Sequence, residues 1–349
     1  MKKRMAIIAS NPGFGGCANI NEAFHLHSTL YEPVEITAQP APYNYGERAR
    51  GNRLSITNFD DQETIKKILD DRETCLFIVD LSGLMVICHY LSVKQKKAFS
   101  HPYAIARGQA NKDVDALIEE LSRREVIFFW TGTQYLLNYD RVNEWVKRMG
   151  IKTTFAMPDL MRCDPKAKPL FQPHDYTPPL NGNKYVNFTI THSPGKKLDS
   201  KERLGNYWNE KGTEQIARVF DEITGNGIKT MILGGDFCVP HDVSILVKAK
   251  SHLFVDKITE HSAGVGKSGL ESLALGVPVL CSMQHTRYEG RYAGIPVIDV
   301  RDEIELKENI MLLYGNKSLY KSRCEQTSEW AQIINYENTV KYLEQEMEW

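Results

Sequence analysis

Gly264-Val265-Gly266-Lys267-Ser268-Gly269-Leu270-Glu271-Ser272-Leu273-Ala274-Leu275-Gly276-Val277-Pro278-Val279-Leu280-Cys281-Ser282 reads as a glycine-rich loop, a helix and a strand in succession. The helix is predicted over Ser268–Leu275 and the strand over Val277–Ser282. A further short apolar run, Leu253–Asp256, precedes the loop. Strand, loop, helix, strand is the unit that joins parallel neighbours in one sheet. Working outward, the same alternation continues upstream: a helix at His241–Lys250, a strand at Thr230–Leu233, a helix at Gly212–Ile223 and a strand at Tyr185–Ile190. In the helix Gly212–Ile223, the residues Ile216, Val219, Phe220 and Ile223 repeat at i, i+3, i+4, i+7 and share one face. The pattern stops at Gln172–Asn183, where Pro173, Pro178, Pro179 and Gly182 cluster among polar residues, as in a linker. Before that break it runs again, with strands at Met5–Ser10, Cys75–Asp80, Val126–Thr131 and Lys152–Met157 and a helix from Ala18. The last segment, Lys321–Trp349, reads as a helix whose aromatic residues serve packing.

The composition of the 349 residues is ordinary: 42% hydrophobic, 25% charged, 24 Gly and 15 Pro. Disordered, collagen-like and low-complexity classes are thereby excluded. No apolar run approaches the ~18–20 residues that span a bilayer. Met1-Lys2-Lys3-Arg4 and the short apolar run after it imitate a signal peptide, but Asn11-Pro12-Gly13 interrupts them, and the expectation is a cytoplasmic protein. Seven scattered cysteines without a Cys-x-x-Cys pair point to buried thiols rather than a disulfide or zinc framework. The net charge of −1 provides no global field for a polyanion. One local feature stands out. From Leu81 to Lys112 there is no acidic residue, while Lys94, Lys96, Lys97, Arg107 and Lys112 are interleaved with His89, His101 and Tyr103. Such a stretch is either a solvated face or a contact for an anionic partner.

Three stretches carry chemistry. Asn11-Pro12-Gly13-Phe14-Gly15-Gly16 follows the first strand and opens a helix, where glycine permits close backbone approach and unpaired N–H groups meet an anion. Its spacing does not complete Gly-x-Gly-x-x-Gly. Gly264–Ser268 imitates a phosphate-binding Gly-x-x-x-x-Gly-Lys-Ser loop, with His261 where the opening glycine would stand; an ATPase or kinase using Lys267 and Ser268 is the alternative reading. Thr191-His192-Ser193-Pro194-Gly195-Lys196-Lys197 lies just past the first strand of the second half, and Lys211-Gly212-Thr213 opens the next helix. Cations at the C-terminal ends of parallel strands stand where open α/β sheets bind ligands, and lysine suits a diphosphate as a point charge.

These pieces occur in an order that resembles the retaining, family 4-like glycosyltransferases of GT-B fold. The correspondence takes in the loop ending Gly15-Gly16, Trp130-Thr131-Gly132-Thr133, Met157-Pro158-Asp159-Leu160, His192-Ser193-Pro194 with Lys211-Gly212-Thr213, and Gly266–Glu271 running into Ala274-Leu275-Gly276-Val277-Pro278-Val279. The resemblance implies an α/β chain of two Rossmann-like domains whose parallel sheets face a central cleft. The domains would be residues 1–175 and 185–325, with a linker over 176–184 and a terminal helix, 326–349, packing back on the first domain. It implies transfer of a sugar from a nucleoside-diphosphate sugar to an acceptor hydroxyl, with no metal or other cofactor required and no obligate protein partner. Lys211, with Lys196 or Lys197, would neutralise the diphosphate, Lys211 and Lys197 stabilising the leaving group. His192, the N–H groups of Ser268 and Gly269, and Gly15-Gly16 would line the donor, and Glu271 would accept ribose hydroxyls. Two departures are visible: Ala263 stands where the first member of the family's frequent Glu-x7-Glu pair would be, and the usual phosphate-binding Arg is replaced by lysine. The acceptor would lie on the first domain, near Lys94, Lys96, Lys97, His101, Arg107 and Thr133. An anionic acceptor follows, either a hydroxylated base in viral DNA or a membrane-surface lipid or glycan. In the membrane case Leu84–Lys97 would be a basic amphipathic helix.

Overall fold

The computed structural model describes residues 2–9, 17–38, 53–106, 108–109, 113–131, 133–160, 163–164, 166–176, 187–194, 211–234, 239–259, 264–284, 288 and 290–347. Gly15, Gly16, Arg107, Lys196 and Lys197 lie outside these, as do His261 and Ala263. Two compact units are present, one formed by Met1–Pro173 with Tyr336–Trp349, the other by His174–Asn335. Among the described residues, no helix is long and apolar enough to cross a membrane.

The first unit begins β1 (Lys3–Ala9), α1 (Cys17–His27), β2 (Tyr31–Thr37), β3 (Arg53–Ser55), α2 (Phe59–Asp70), β4 (Cys75–Val79) and α3 (Asp80–Gln95). It continues with α4 (Pro102–Ala106), α5 (Val114–Leu121), β5 (Val126–Trp130), α6 (Thr133–Arg148), β6 (Thr154–Ala156) and β7 (Lys168–Pro169). All strands pair in parallel in the order β3-β2-β1-β4-β5-β6-β7. β4 and β5 are buried along their whole length, which is why they read as unbroken apolar runs. Trp130 closes β5 between Phe128 and Tyr135, each stacked with ring centroids 4.5 Å away. β2 escapes the sequence reading because Pro33 and two glutamates interrupt its apolar pattern. Among the described residues, β3 pairs with β2 from Glu35 onward, past Pro33.

The second unit contains β8 (Thr189–His192), α7 (Thr213–Thr224), β9 (Lys229–Ile232), α8 (His241–Ala249), β10 (Leu253–Val255), α9 (Lys267–Ala274), β11 (Val279–Cys281), β12 (Ile298–Asp299), α10 (Glu303–Gly315) and α11 (Lys317–Ala331). Its sheet is also parallel, in the order β12-β11-β10-β8-β9. The predicted stripe Ile216, Val219, Phe220 and Ile223 enters a core with Ile190, Leu253, Val255 and Leu280. Of the strand expected over Tyr185–Ile190, Tyr185 and Val186 lie outside the described residues; β8 begins at Thr189, two residues after Asn187 takes a left-handed backbone, φ +63°.

The terminal stretch expected as one helix is two. α11 stays in the second unit, and only α12 (Tyr336–Met347) belongs to the first. There Glu344 accepts from Ser28 Oγ (2.5 Å) and the Leu30 N–H (3.1 Å), and Tyr336 OH reaches Glu22 (3.2 Å), fastening α12 to the region of α1.

Candidate functional site

In each sheet, connections leave in opposite directions on either side of one strand boundary: β1/β4 in the first, β8/β10 in the second. Ligands of open α/β sheets bind outside the carboxyl ends of the strands at such a point. The residues singled out in the second half gather at the β8/β10 boundary.

His192 ends β8 beside Val255, the last residue of β10. It is fully buried, with Nδ1 2.8 Å from the Val255 carbonyl oxygen and Nε2 3.0 Å from Thr213 Oγ1. The carbonyl can only accept, so Nδ1 carries the proton and Nε2 accepts from the threonine hydroxyl. Burial, with the nearby Lys211 charge, lowers the imidazole to about 4. Expected to line the donor, His192 instead spends both ring nitrogens inside the unit, tying β10 to the first turn of α7.

Lys211 precedes Gly212, whose left-handed φ of +72° caps α7. Its Nζ donates to the Ser193 carbonyl at 2.9 Å and stands 3.6 Å from Asp256 Oδ1, with the side chain 23% exposed. Burial lowers the ammonium pKa and Asp256 opposes that shift. Asp256 directly follows β10 and is fully buried; its Oδ2 accepts the Gly266 N–H at 2.6 Å. The carboxylate thus joins the lysine to the glycine-rich loop. Sequence reading took Asp256 only as the end of a strand, since nothing local distinguishes it.

Gly266 caps α9 in an extended conformation, without a side-chain cap. Gly269 presses on the same carboxylate: a Cβ there would lie 2.8 Å from Asp256 Oδ2 and 2.7 Å from Val265 Cγ1. The N–H groups of Ser268 and Gly269 belong to the first helical turn and have no intrahelical acceptor, so they lie at the positive end of the helix dipole, where Gly269 itself is buried.

Glu271, one turn further, is 3% exposed. Its Oε1 is 2.9 Å from His241 Nε2 and its Oε2 accepts from Lys248 Nζ at 2.5 Å, with Lys267 Nζ 3.8 Å from Oε1. Burial alone would raise this carboxyl, but the Lys248 charge, the His241 hydrogen bond and Lys267 outweigh it and hold it well below its ordinary value. Lys248, itself buried, also lies over the Phe254 ring, 5.2 Å from its centroid. Lys267 is therefore partnered along its own helix, and the loop it opens follows the third strand of its sheet rather than the first, unlike the loop it imitates.

Among the described residues expected to meet the acceptor, two of the three lysines are taken up by internal partners. Lys94 bonds Tyr90 OH (2.9 Å) and Glu120 (3.3 Å), and Lys97 pairs with fully buried Asp113 (3.2 Å). The acid-free stretch finds its counter-charges in α5 and just before it. Lys96 is exposed and caps α3 with φ +48°; exposed His101 precedes α4; Thr133 opens α6. α3 is a core helix, with Leu81, Leu84, Val86, Ile87, Tyr90 and Leu91 all buried, and this corrects the amphipathic reading of Leu84–Lys97. Asp113 and Asp115 have a spacing that could hold a cation, but Asp113 is engaged by Lys97 and the Ser100 N–H, and Asp115 by Arg148.

No family model matches the sequence, and none of the curated proteins does. Solved structures do. HepE of Anabaena, determined in complex with UDP, superposes with a TM-score of 0.55 over 99% of both chains at 9% identity. The N-terminal domain of Candida albicans trehalose-6-phosphate phosphatase gives 0.53 over 99% of this chain and 97% of that one, also at 9% identity. A Thermobaculum terrenum O-GlcNAc transferase gives 0.51 at 12% identity, with 99% of this chain matching 66% of its own.

The chain has the GT-B fold. Within that GT-B frame, Lys211, Asp256, the Gly266 loop and the start of α9 share one end of the second sheet, whereas His192 and Glu271 are engaged beneath them.

Proposed function

We propose that this protein transfers a sugar from a nucleoside-diphosphate sugar to an acceptor hydroxyl. The observation that carries the reading is the β8/β10 end of the second sheet, where Lys211, the Asp256-tethered loop and the N-terminal turn of α9 combine cation and helix dipole. Such fixed positive groups stabilise the charge that develops on a leaving diphosphate as the C1–O bond breaks. Lys196 and Lys197 would add to Lys211 there, and Gly15 and Gly16 would contribute to donor binding. HepE, of the same fold, was solved with UDP, which favours a nucleoside diphosphate as the ligand. A ribose hydroxyl on Glu271 would be a further donor to a carboxylate that already serves His241 and Lys248, within the roughly four acceptor positions a carboxylate offers. The resemblance to retaining enzymes implies retention when the donor phosphate takes the acceptor proton; a carboxylate base would instead give inversion. With Lys94 and Lys97 paired internally, an anionic acceptor such as DNA or a lipid headgroup loses its main sequence support.

The test is a binding screen of UDP, GDP, ADP and ATP with and without magnesium. One diphosphate should bind, with affinity falling about tenfold or more in Lys211→Ala. Binding confined to magnesium-ATP and abolished by Lys267→Ala would reverse the proposal in favour of a nucleotide triphosphatase or kinase.

A further inference from the structure

Two helices lying side by side on a sheet normally close the seam between them with apolar side chains from both. α2 and α3 are such a pair. The connections β3 to β4 and β4 to β5 move the same way across the first sheet, so right-handed crossovers put α2 and α3 on one face. α3 brings Val86, His89, Tyr90 and Val93 to the seam at i, i+3, i+4, i+7, whereas α2 answers with Gln62, Glu63 and Lys66 around one apolar residue, Ile65. The seam stays open. Together with Ile56 and Lys94, these residues line a cavity of about 170 Å³. Ile65 and Val86 are buried beneath it, and Val93 lines it while 56% exposed, so the space can be entered from solvent. An apolar cavity of roughly 150 Å³ is enough for a benzene-sized body.

One end of the cavity is charged. Lys66 Nζ donates to Asp70 Oδ2 (2.6 Å), Tyr90 OH to Asp70 Oδ1 (2.7 Å), and Lys94 Nζ to Tyr90 OH (2.9 Å). Lys94 also reaches Glu120 (3.3 Å), which receives Arg72 and Arg124 as well, each at 2.8 Å. Four cations, Lys66, Lys94, Arg72 and Arg124, thus share two carboxylates, Asp70 and Glu120, and two positive charges are left in excess. Lys94 is paired, but with a carboxylate that two arginines already occupy. An ammonium has three donors, of which Lys66 spends one here and Lys94 two. Their side chains are 54% and 41% exposed, so the remaining donors stay within reach of a bound molecule.

We infer that the α2/α3 cavity binds a small carboxylate with an apolar body about the size of benzoate. The ring fills the seam between Ile65, Val86 and Val93, and the carboxylate takes the remaining donors of Lys94 and Lys66. The excess of positive charge favours an anion over a neutral molecule of the same shape, and the volume admits one ring but not a nucleotide. The site belongs wholly to the first unit and is independent of the glycosyl-transfer reading. Its charged end lies at the last turns of α2 and α3, which return toward the amino ends of the strands. Open α/β sheets bind their substrates at the opposite, carboxyl ends, so the occupant is a ligand other than donor or acceptor.

The experiment uses the full chain, ¹³C-labelled in its isoleucine and valine methyl groups, titrated by NMR with benzoate, benzyl alcohol and benzylammonium. Benzoate should shift the methyls of Ile56, Ile65, Val86 and Val93 together and saturate at about millimolar concentration, the affinity open to so small a ligand. Benzyl alcohol, of the same shape without the charge, should bind about tenfold more weakly, and benzylammonium more weakly still. Lys94→Met leaves Glu120 with both arginines, so the melting temperature should hold while benzoate affinity falls about tenfold and that of benzyl alcohol does not change. Val93→Trp, a substitution at an exposed position on the rim, should block all three. Benzoate binding no tighter than benzyl alcohol, or undiminished in Lys94→Met, would overturn the carboxylate assignment. Shifts that grow without saturating, that persist in Val93→Trp, or that fail to appear by about 20 mM would remove the site itself.

Discussion

Asp256 Oδ2 accepts the Gly266 N–H at 2.6 Å while Oδ1 of the same carboxylate stands 3.6 Å from Lys211 Nζ. One buried anion therefore holds both the glycine-rich loop and the lysine proposed to meet a diphosphate. Asp256→Ala should cost about 3–5 kcal/mol, because Lys211 loses its counter-charge in a largely buried setting and the loop loses its tether. Asp256→Asn keeps an acceptor for Gly266 and should cost less. Urea unfolding measures the difference, and amide exchange at Gly266 should accelerate in the alanine variant and stay slow in the asparagine one.

Glu271 and Lys248 form a buried ion pair at 2.5 Å, one face of which is closed by Phe254. Removing only the carboxylate leaves Lys248 with an uncompensated charge, so Glu271→Ala should destabilise by about 3–5 kcal/mol. Pairing it with Lys248→Met should recover much of that loss, since the methionine stem replaces the lysine volume without its charge. The double variant also separates structure from binding. If it folds well and binds a nucleoside diphosphate as tightly as the parent, Glu271 makes no ribose contact.

How much of this could be read in advance depends on whether the determining force was local. β4, β5 and the loop-helix-strand run from Gly264 were legible because burial on both faces leaves continuous apolar runs and the helix start needs glycine. β2 was not, since Pro33 and two glutamates break its apolar pattern while its pairing with β1 is tertiary. The acid-free stretch looked like a patch because charge was counted along the chain, whereas Glu120 and Asp113 reach Lys94 and Lys97 through space. Asp80 and Asp256 were invisible for the same reason: burial, backbone angle and partners are all tertiary, and each read simply as the residue after a strand. His192 and Glu271 were recognised as special positions, but their side chains meet partners from α7 and α8 that spacing does not reveal.

Gly269 has an ordinary φ, so its glycine is required by contact rather than by backbone angle. Alanine there would push its Cβ to within 2.8 Å of Asp256 Oδ2 and 2.7 Å of Val265 Cγ1. Neither neighbour yields cheaply, because Val265 is buried and Asp256 is held by Gly266. Gly269→Ala should lower stability by about 1–3 kcal/mol, the usual cost of overpacking. The shift would also move the first turn of α9, so diphosphate affinity should fall further than in a surface variant of equal stability, such as one in α10. Calorimetric binding beside thermal melting distinguishes the two effects.

Acid should weaken the two units unequally. His192 has an ordinary value of 6.5 and a folded value of about 4, and His174, also in the second unit, is lowered by burial to about 3. Between those limits the unfolded chain binds protons that the folded unit refuses. Stability of the second unit is therefore fully present above pH 6.5 and falls as pH drops toward 4, by about 3 kcal/mol for His192 alone. Asp80 has the opposite sign. Raised from 3.8 to about 6, its contribution is complete below pH 3.8 and is lost as pH rises through 6, so the first unit gains from the same acidification. Exchange-corrected protection should then decline at β10 and hold or rise at β4 between pH 6.5 and 4. His192→Asn should start from a lower stability at neutral pH, having lost its bond to the Val255 carbonyl, yet show a shallower acid slope in the second unit. An unchanged slope would mean that His192 is already charged when folded, which its paired ring nitrogens oppose.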